Sequence, residues 1–292
     1  MPKVAIIILD WNGWPDTEEC LRSLQKLDYP DFEIILIDNG SKQRFPDIGS
    51  QFDDLRIIQV KNEKNLGFTG GNNQGIEMAM DREVDYVLLL NNDTVVESDF
   101  LSKMLAAGEA DKRVGMIGPV IYDYNDRKKI QSAGGKINWL RIKGEHEAKK
   151  PETNKKTGYL TGCCLLVKRE VIEKIGGLDE DYFLYYEDTD WNLRAQKAGY
   201  DCVLAVDAKI YHKGSTTSQE FSYPYIYYHT RNGLMFGSRF GFKPLVYLLS
   251  FWIYVKQLLK LAIGYKRDWA KPVIQGIKDF WAGKTGKLEG YY

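Results

Sequence analysis

The sequence lacks the phosphate-binding signatures that would place it at a glance. No GxGxxG follows its first strand-like run and no GxxxxGK[ST] occurs, so dinucleotide-dehydrogenase and P-loop readings lose their main support. Its four cysteines show no CxxC spacing, and Cys163 and Cys164 are neighbours whose mutual pairing would strain the backbone. Buried free thiols in a reducing compartment are expected. Charge of one sign is missing too: forty Lys and Arg balance forty Asp and Glu, so no global field attracts nucleic acid. No signal-length apolar core or small-residue cleavage site follows Met1, and a cytoplasmic protein is expected. What remains is a chain of 292 residues, 44% hydrophobic, long enough for one large domain or two small ones.

Short continuous apolar runs at 4–9, 32–37, 55–60 and 84–90 read as strands covered on both faces. Helix-like stretches at 16–27 and 75–82 lie between them, so the alternation predicts an α/β fold with a mostly parallel sheet. The rhythm falters from about residue 125, and the Lys-rich segment 143–156 reads as a mobile loop. A strand at 161–167 and a helix at 169–175 follow. Residues 219–292 differ in composition, with eleven Lys or Arg against four acids and 18 of the 38 aromatic residues. Their longest uninterrupted apolar stretch, 245–255, is eleven residues, short of the roughly 18 needed to span a bilayer. A helix lying at a membrane surface fits this tail; packing on the domain or on a second copy of the chain is the alternative. The GKTGK at 283–287 follows no strand and reads as plain tail.

In α/β sheets ligands bind beyond the carboxyl ends of strands, so the residues there are the first candidates for a site. Strand one ends at Asp10-Trp11-Asn12-Gly13 and strand two at Asp38-Asn39-Gly40-Ser41. After strand three comes Asn65-Leu66-Gly67-Phe68-Thr69-Gly70-Gly71-Asn72-Asn73, and strand four ends in Asn91-Asn92-Asp93. Asp38 is an acceptor-only carboxylate suited to a nucleobase or ribose, and equally to a turn. The glycines from Gly67 to Gly71 permit close backbone approach to phosphate or sugar, or simply a flexible connection. Asp93, straight after the most apolar strand, needs solvent, a partner or a cation; Mg²⁺ or Mn²⁺ suits it, and so does the start of a helix. Glu187, Asp188 and Asp190 follow the aromatics Phe183, Tyr185 and Tyr186. Aromatic shelter raises a carboxyl pKa, which suits a general base, although acids also favour a first helical turn. His212 follows a strand-like AKIY and becomes a metal ligand only if Asp93 lies near.

Taken in order, IILDWNG, LIDNGS, NLGFTGGNNQG, LLLNNDTVV, the TGCCLLV to QKAGY stretch and YHKGSTT resemble the inverting nucleotide-sugar transferases of glycosyltransferase family 2, particularly the rhamnosyltransferase-like branch. The resemblance covers residues 3 to about 240. It implies a GT-A fold, Rossmann-like, with a smaller acceptor-side part and a C-terminal helical tail: 1–218 catalytic (about 1–125 for the donor, about 126–218 for the acceptor and base) and 219–292 the tail. It also implies Asp38 on the nucleobase, with Asn12, Asn65, Gly67, Gly71, Asn72, Asn91 and Asn92 around the donor. Asp93 and His212 become metal ligands for Mg²⁺ or Mn²⁺, and Asp188 the base with Glu187 in support. The sequence reads NxD where the family has DxD, removing one negative ligand. QxxRW is absent, which argues against a processive synthase. The implied partners are a nucleotide-diphosphate sugar and a glycan or lipid-linked acceptor at the cytoplasmic membrane face. Asp179 is a candidate for the acceptor pocket. A non-catalytic nucleotide-sugar-binding scaffold and a sugar-phosphate nucleotidyltransferase are the alternatives, the latter lacking its basic Gly-rich loop in LDWNGWPD.

Overall fold

A computed structural model describes residues 1–43, 48, 51–214 and 222–291. Its first half alternates strand and helix: β1 Val4–Asp10, α1 Trp14–Leu24, β2 Phe32–Asp38, β3 Ile57–Lys61, α2 Gly67–Asp81, β4 Tyr86–Asn91, β5 Thr94–Val96 and α3 Phe100–Glu109. The second half follows with β6 Val114–Asp123, β7 Ile130–Ser132, β8 Gly135–Asn138, β9 Lys143–His146, β10 Lys155–Lys156, β11 Cys164–Lys168, α4 Arg169–Ile175, α5 Glu187–Lys197 and β12 Asp201–His212. Three helices close the chain: α6 Tyr223–Phe240, α7 Lys243–Ala262 and α8 Arg267–Trp281.

The apolar runs become the centre of one twisted sheet in the order β10-β12-β6-β11-β4-β1-β2-β3. Pairings β4-β1, β1-β2, β2-β3 and β6-β12 are parallel, while β11 enters between β4 and β6 antiparallel to both. Alternate residues of β1 serve opposite faces, as the two-residue period of a strand requires. Val4, Ile6 and Ile8 pack with α1 and α3, whereas Ala5 and Ile7 pack with α2, α4 and α5. Helices on both faces explain why these strands read as continuous rather than alternating apolar runs.

Two local expectations needed correction. Helix α2 begins at Gly67, eight residues earlier than periodicity suggested, because its glycines are packing seats and not a loop. A Cβ on Gly71 would lie 2.4 Å from Leu9, and one on Gly75 2.6 Å from Ile7. The Lys-rich segment is not loop throughout. Its start forms β9, paired with β8, and its end forms β10, where Lys155 pairs with Leu204. The GKTGK stretch is no loose end: the Gly286 amide donates to the Asp181 carbonyl at 2.7 Å and the Leu288 amide to the Tyr228 hydroxyl at 2.7 Å. All four cysteines are free and buried, as expected.

In the tail, α6 buries Ile226, Phe236 and neighbouring side chains against Tyr182 and Tyr186. Helix α7 runs 20 residues, longer than its uninterrupted apolar stretch, because Lys256 and Lys260 continue it without breaking its hydrogen bonds. Among the described residues it is the one helix long and apolar enough, by length and composition, to cross a membrane.

Candidate active site

Strand ends build the site. Parallel pairing sets Asp10 beside Asp38 and Leu9 beside Asn91, so three polar strand termini share one rim. Antiparallel β11 starts at that rim, and the Asn91 amide donates to the Cys163 carbonyl at 2.9 Å. A cavity of about 730 Å³ opens there. Asn12, Asn65, Gly67, Asn91, Asn92, Asp93, Glu187, Asp188 and His212 all line it.

Asp93 and His212 meet because β5 pairs antiparallel with the end of β12, His212 opposite Thr94. Asp93 Oδ1 and His212 Nε2, both buried, face each other at ion-pair distance, 3.3 Å, and neither atom has a hydrogen-bond partner among the described residues. Gln131, on β7, explains the orientation. Its amide nitrogen donates to the His212 carbonyl at 3.0 Å, which turns its Oε1 toward His212 Nδ1 at 2.9 Å. With Nδ1 donating to Gln131, Nε2 is the ring nitrogen aimed at Asp93. One carboxylate oxygen and one imidazole nitrogen, both buried and without hydrogen bonds, fit a divalent cation completed by diphosphate oxygens and water. Asn91 adds a neutral neighbour on the cavity wall.

Asp188 sits in the first turn of α5, half-buried. Its Oδ2 accepts from the Tyr159 hydroxyl at 2.8 Å and the Gly162 amide at 2.9 Å, and its Oδ1 from the Thr189 amide at 2.6 Å and hydroxyl at 3.2 Å. Burial and the nearby Asp188 charge push the Tyr159 phenol well up, so it stays protonated and donates. Glu187, expected to support Asp188, is absent from this set. Burial, and then the Asp188 charge, hold its carboxyl well above the ordinary range, and its Oε2 finds no partner among the described residues. The aromatic shelter read from the sequence thus acts on Glu187.

The backbone ahead of α5 is strained. Phe183, Tyr185 and Tyr186 hold φ of 65°, 68° and 76°, a left-handed region costly for bulky residues. Two fully buried side chains of α6 impose it. Asn232 Nδ2 donates to the carbonyls of Tyr182, Leu184 and Tyr185 at 2.8–3.0 Å. Arg231 donates to those of Asp181, Tyr182 and Gly286. Phe183 in turn accepts from the Phe68 amide at 2.8 Å, at the start of α2. The loop carrying the carboxylates is therefore tied to tail and donor rim together.

Some expected residues fall elsewhere. Gly71 and Asn72 are outside the cavity wall: Gly71 packs on Leu9, and Asn72 donates to the Phe68 carbonyl within α2. Asp38 is fully buried just behind the wall. Its Oδ1 accepts from the Ser41 amide at 2.8 Å, while Oδ2 has no partner among the described residues. Asn92 holds the rim together, donating to Asp10 at 3.0 Å and Thr17 at 2.9 Å. Asp179 pairs with Arg239 and is not in the acceptor space. Ser215 to Thr217 of the YHKGSTT motif lie outside the described residues. Tyr159, Gln131, Asn232, Tyr225 and Tyr291 went unforeseen, because nothing in their local pattern announces contacts made across the fold.

A mixed α/β sheet with a carboxylate–imidazole pair and a separately held carboxylate in one rim cavity is the architecture of a nucleotide-sugar transferase. The family model "Glycosyl transferase family 2" matches residues 5–176, and the chain belongs to that family. It is 28% identical over 243 residues, 74% of this chain and 78% of the relative, to an N-acetylglucosaminyl-diphospho-decaprenol L-rhamnosyltransferase of Mycobacterium tuberculosis. To the dTDP-rhamnosyl transferase RfbF of Shigella flexneri it is 22% identical, covering 72% and 69%. The Pyrobaculum calidifontis mannosyltransferase solved with GDP-Man and Mn²⁺ superposes with a TM-score of 0.61 at 17% identity, over 97% of this chain and 88% of that one. That likeness supports the GT-A fold, and the sequence relatives the rhamnosyltransferase-like branch. The nucleotidyltransferase alternative finds no support among them.

Proposed function

We propose that the protein transfers a sugar from a nucleotide-diphosphate donor, dTDP-rhamnose or a UDP-sugar, to a hydroxyl of a glycan or lipid-linked acceptor with inversion, in cell-surface polysaccharide assembly. The observation that carries this reading is the pairing, in one cavity, of the unbonded Asp93–His212 couple with the donor-held Asp188. The names of the relatives supply the rhamnosyl donor and lipid-diphosphate acceptor as precedents. In the proposed division of labour residues 1–218 carry the chemistry, and 219–292 add one wall of the cavity and contact the cytoplasmic face of the membrane.

Asp93 and His212 would hold Mg²⁺ or Mn²⁺, which when bound supplies Lewis-acid stabilisation of the departing diphosphate. Asn65 and Asn12 shape the donor rim, with Asp38, buried behind it, accepting from the Ser41 amide and so fixing the turn there. Asp188 takes the proton of the acceptor hydroxyl as that oxygen attacks the anomeric carbon. The Thr189 hydroxyl contact, the longest of its four, is the one an incoming hydroxyl replaces. Tyr159 and the Gly162 amide fix the carboxylate plane, so the base is oriented before substrate arrives. Burial and the Asp188 charge disfavour ionisation of Glu187, which weighs against a second negative charge facing the leaving diphosphate. No covalent intermediate on the enzyme is required.

The test is a panel of nucleotide sugars incubated with Mn²⁺ or Mg²⁺, read as slow donor hydrolysis, with the anomeric configuration of the transferred sugar set by NMR. One donor class hydrolysed with metal, and a product of inverted configuration, is the expected result. No metal-stimulated cleavage of any donor, or retained configuration, contradicts the proposal.

A further inference from the structure

The surface least suited to water lies outside the cavity. Helix α7 buries Val246, Ser250 and Gln257 along one line, and Ser250 Oγ accepts from the Trp281 indole of α8 at 2.8 Å. At 100° per residue the opposite line carries Leu245, Leu248, Trp252, Val255, Leu259 and Ile263. It is wholly apolar, and all of it but half-buried Val255 is exposed, Trp252 at 61%. An all-apolar outward line is the reverse of a helix adapted to water.

A second element extends that surface. The β8–β9 hairpin ends in Trp139 and Leu140, the latter 95% exposed. Trp139 stacks on Phe236 of α6 at 5.8 Å and shares an apolar groove of about 340 Å³ with Phe242, Leu245 and Leu249. The other end of the hairpin rests on Tyr159, with the His146 ring 5.3 Å from it and Gly135 bridged to it. The Tyr159 ring also reaches the middle of the hairpin, where a Cβ on Gly144 would lie 2.9 Å from it, so the apolar tip stands two or three strand residues, roughly 10 Å, from the residue that holds Asp188.

The charge around this surface is mainly positive, the acids at its border being Glu145, paired with Arg141 on the hairpin, and Asp268 after α7. Residues 242–267 contain Lys243, Lys256, Lys260, Lys266 and Arg267 and no acid; residues 136–143 contain Lys136, Arg141 and Lys143 and no acid. An apolar face bordered by cations and by Trp matches the interface of an anionic bilayer leaflet. The packing of α7 along α8 favours lying in that interface over crossing it, since spanning would strip Ser250 from Trp281.

We propose that the outward line of α7 and the Trp139–Leu140 tip form one docking surface for an anionic lipid bilayer, with α7 lying in the headgroup plane. The inference deepens the lipid-linked acceptor reading and rests on it for its purpose: the hairpin sets the reacting centre one headgroup's length above the leaflet. The test is co-sedimentation of the full chain with vesicles of phosphatidylcholine alone or mixed with phosphatidylglycerol, without donor or acceptor. Donor hydrolysis is measured separately, so a failed docking reading is distinguishable from a failed transferase reading. Binding to the anionic vesicles, weakened by salt and released by alkaline carbonate, is expected. Trp139→Ser with Leu140→Ser, and independently Leu248→Ser with Trp252→Ser, should each lower partitioning about tenfold or more and leave donor hydrolysis unchanged. Equal indifference to both vesicle types overturns the proposal. So does retention through carbonate, which signals a spanning helix, or a doubled solution mass lost in the same variants, which signals a second copy of the chain on this face.

Discussion

At the residue scale, two neighbouring carboxyls have been given different surroundings. Asp188 is met by hydrogen-bond donors on both oxygens, whereas Glu187 is buried with one oxygen unmatched, so burial and the Asp188 charge raise the Glu187 pKa well above the ordinary carboxylate range. A carboxyl whose pKa rises on folding contributes its full stability below the ordinary carboxylate range and loses it as pH climbs toward the raised value. Glu187→Gln cannot ionise, so the variant should show a smaller fall in Tm between about pH 5 and about pH 8 than the parent, with kcat within about threefold. A Tm profile parallel to the parent's would mean that Glu187 is already charged. Gln131 carries a second prediction. Gln131→Ala removes the group that sets the His212 ring, and Mn²⁺ affinity measured by titration calorimetry should fall about 10-fold to 100-fold. Unchanged affinity would separate His212 from the metal.

At the element scale, the strands were legible because both their faces are covered, which writes them as unbroken apolar runs. Helix α2 was only half legible. Its first turns are rich in glycine, and glycine there reads as loop until the closeness of β1 is known. Gly71→Leu should lower stability by about 1–3 kcal/mol in denaturant melts, since the new side chain meets Leu9 of β1. No loss would restore the loop reading. The metal-candidate pair was legible through the family resemblance and not through local pattern, because β5 and β12 are far apart in sequence and only their antiparallel register brings Asp93 to His212. Gln131 and Tyr159 gave no signal for the same reason: each acts on a side chain more than 25 positions away.

At the scale of the whole molecule, the tail is joined to the chemistry. The aromatic and basic composition of residues 219–292 suggested a surface helix, but composition could not reveal that α6 sends Arg231 and Asn232 into the loop ahead of Asp188. Asn232→Ala takes one donor from the carbonyls of Tyr182, Leu184 and Tyr185 and loosens a strained segment, so kcat should fall about tenfold or more while donor affinity changes little. A normal kcat in a folded variant would show that the loop keeps its shape without α6. The account stands most directly on Asp188 as the group that receives the acceptor's proton. Rapid-mixing turnover of Asp188→Asn, with donor binding measured in parallel, tests it: about a hundredfold or greater loss of kcat with donor affinity preserved is predicted, and near-parental kcat would contradict it.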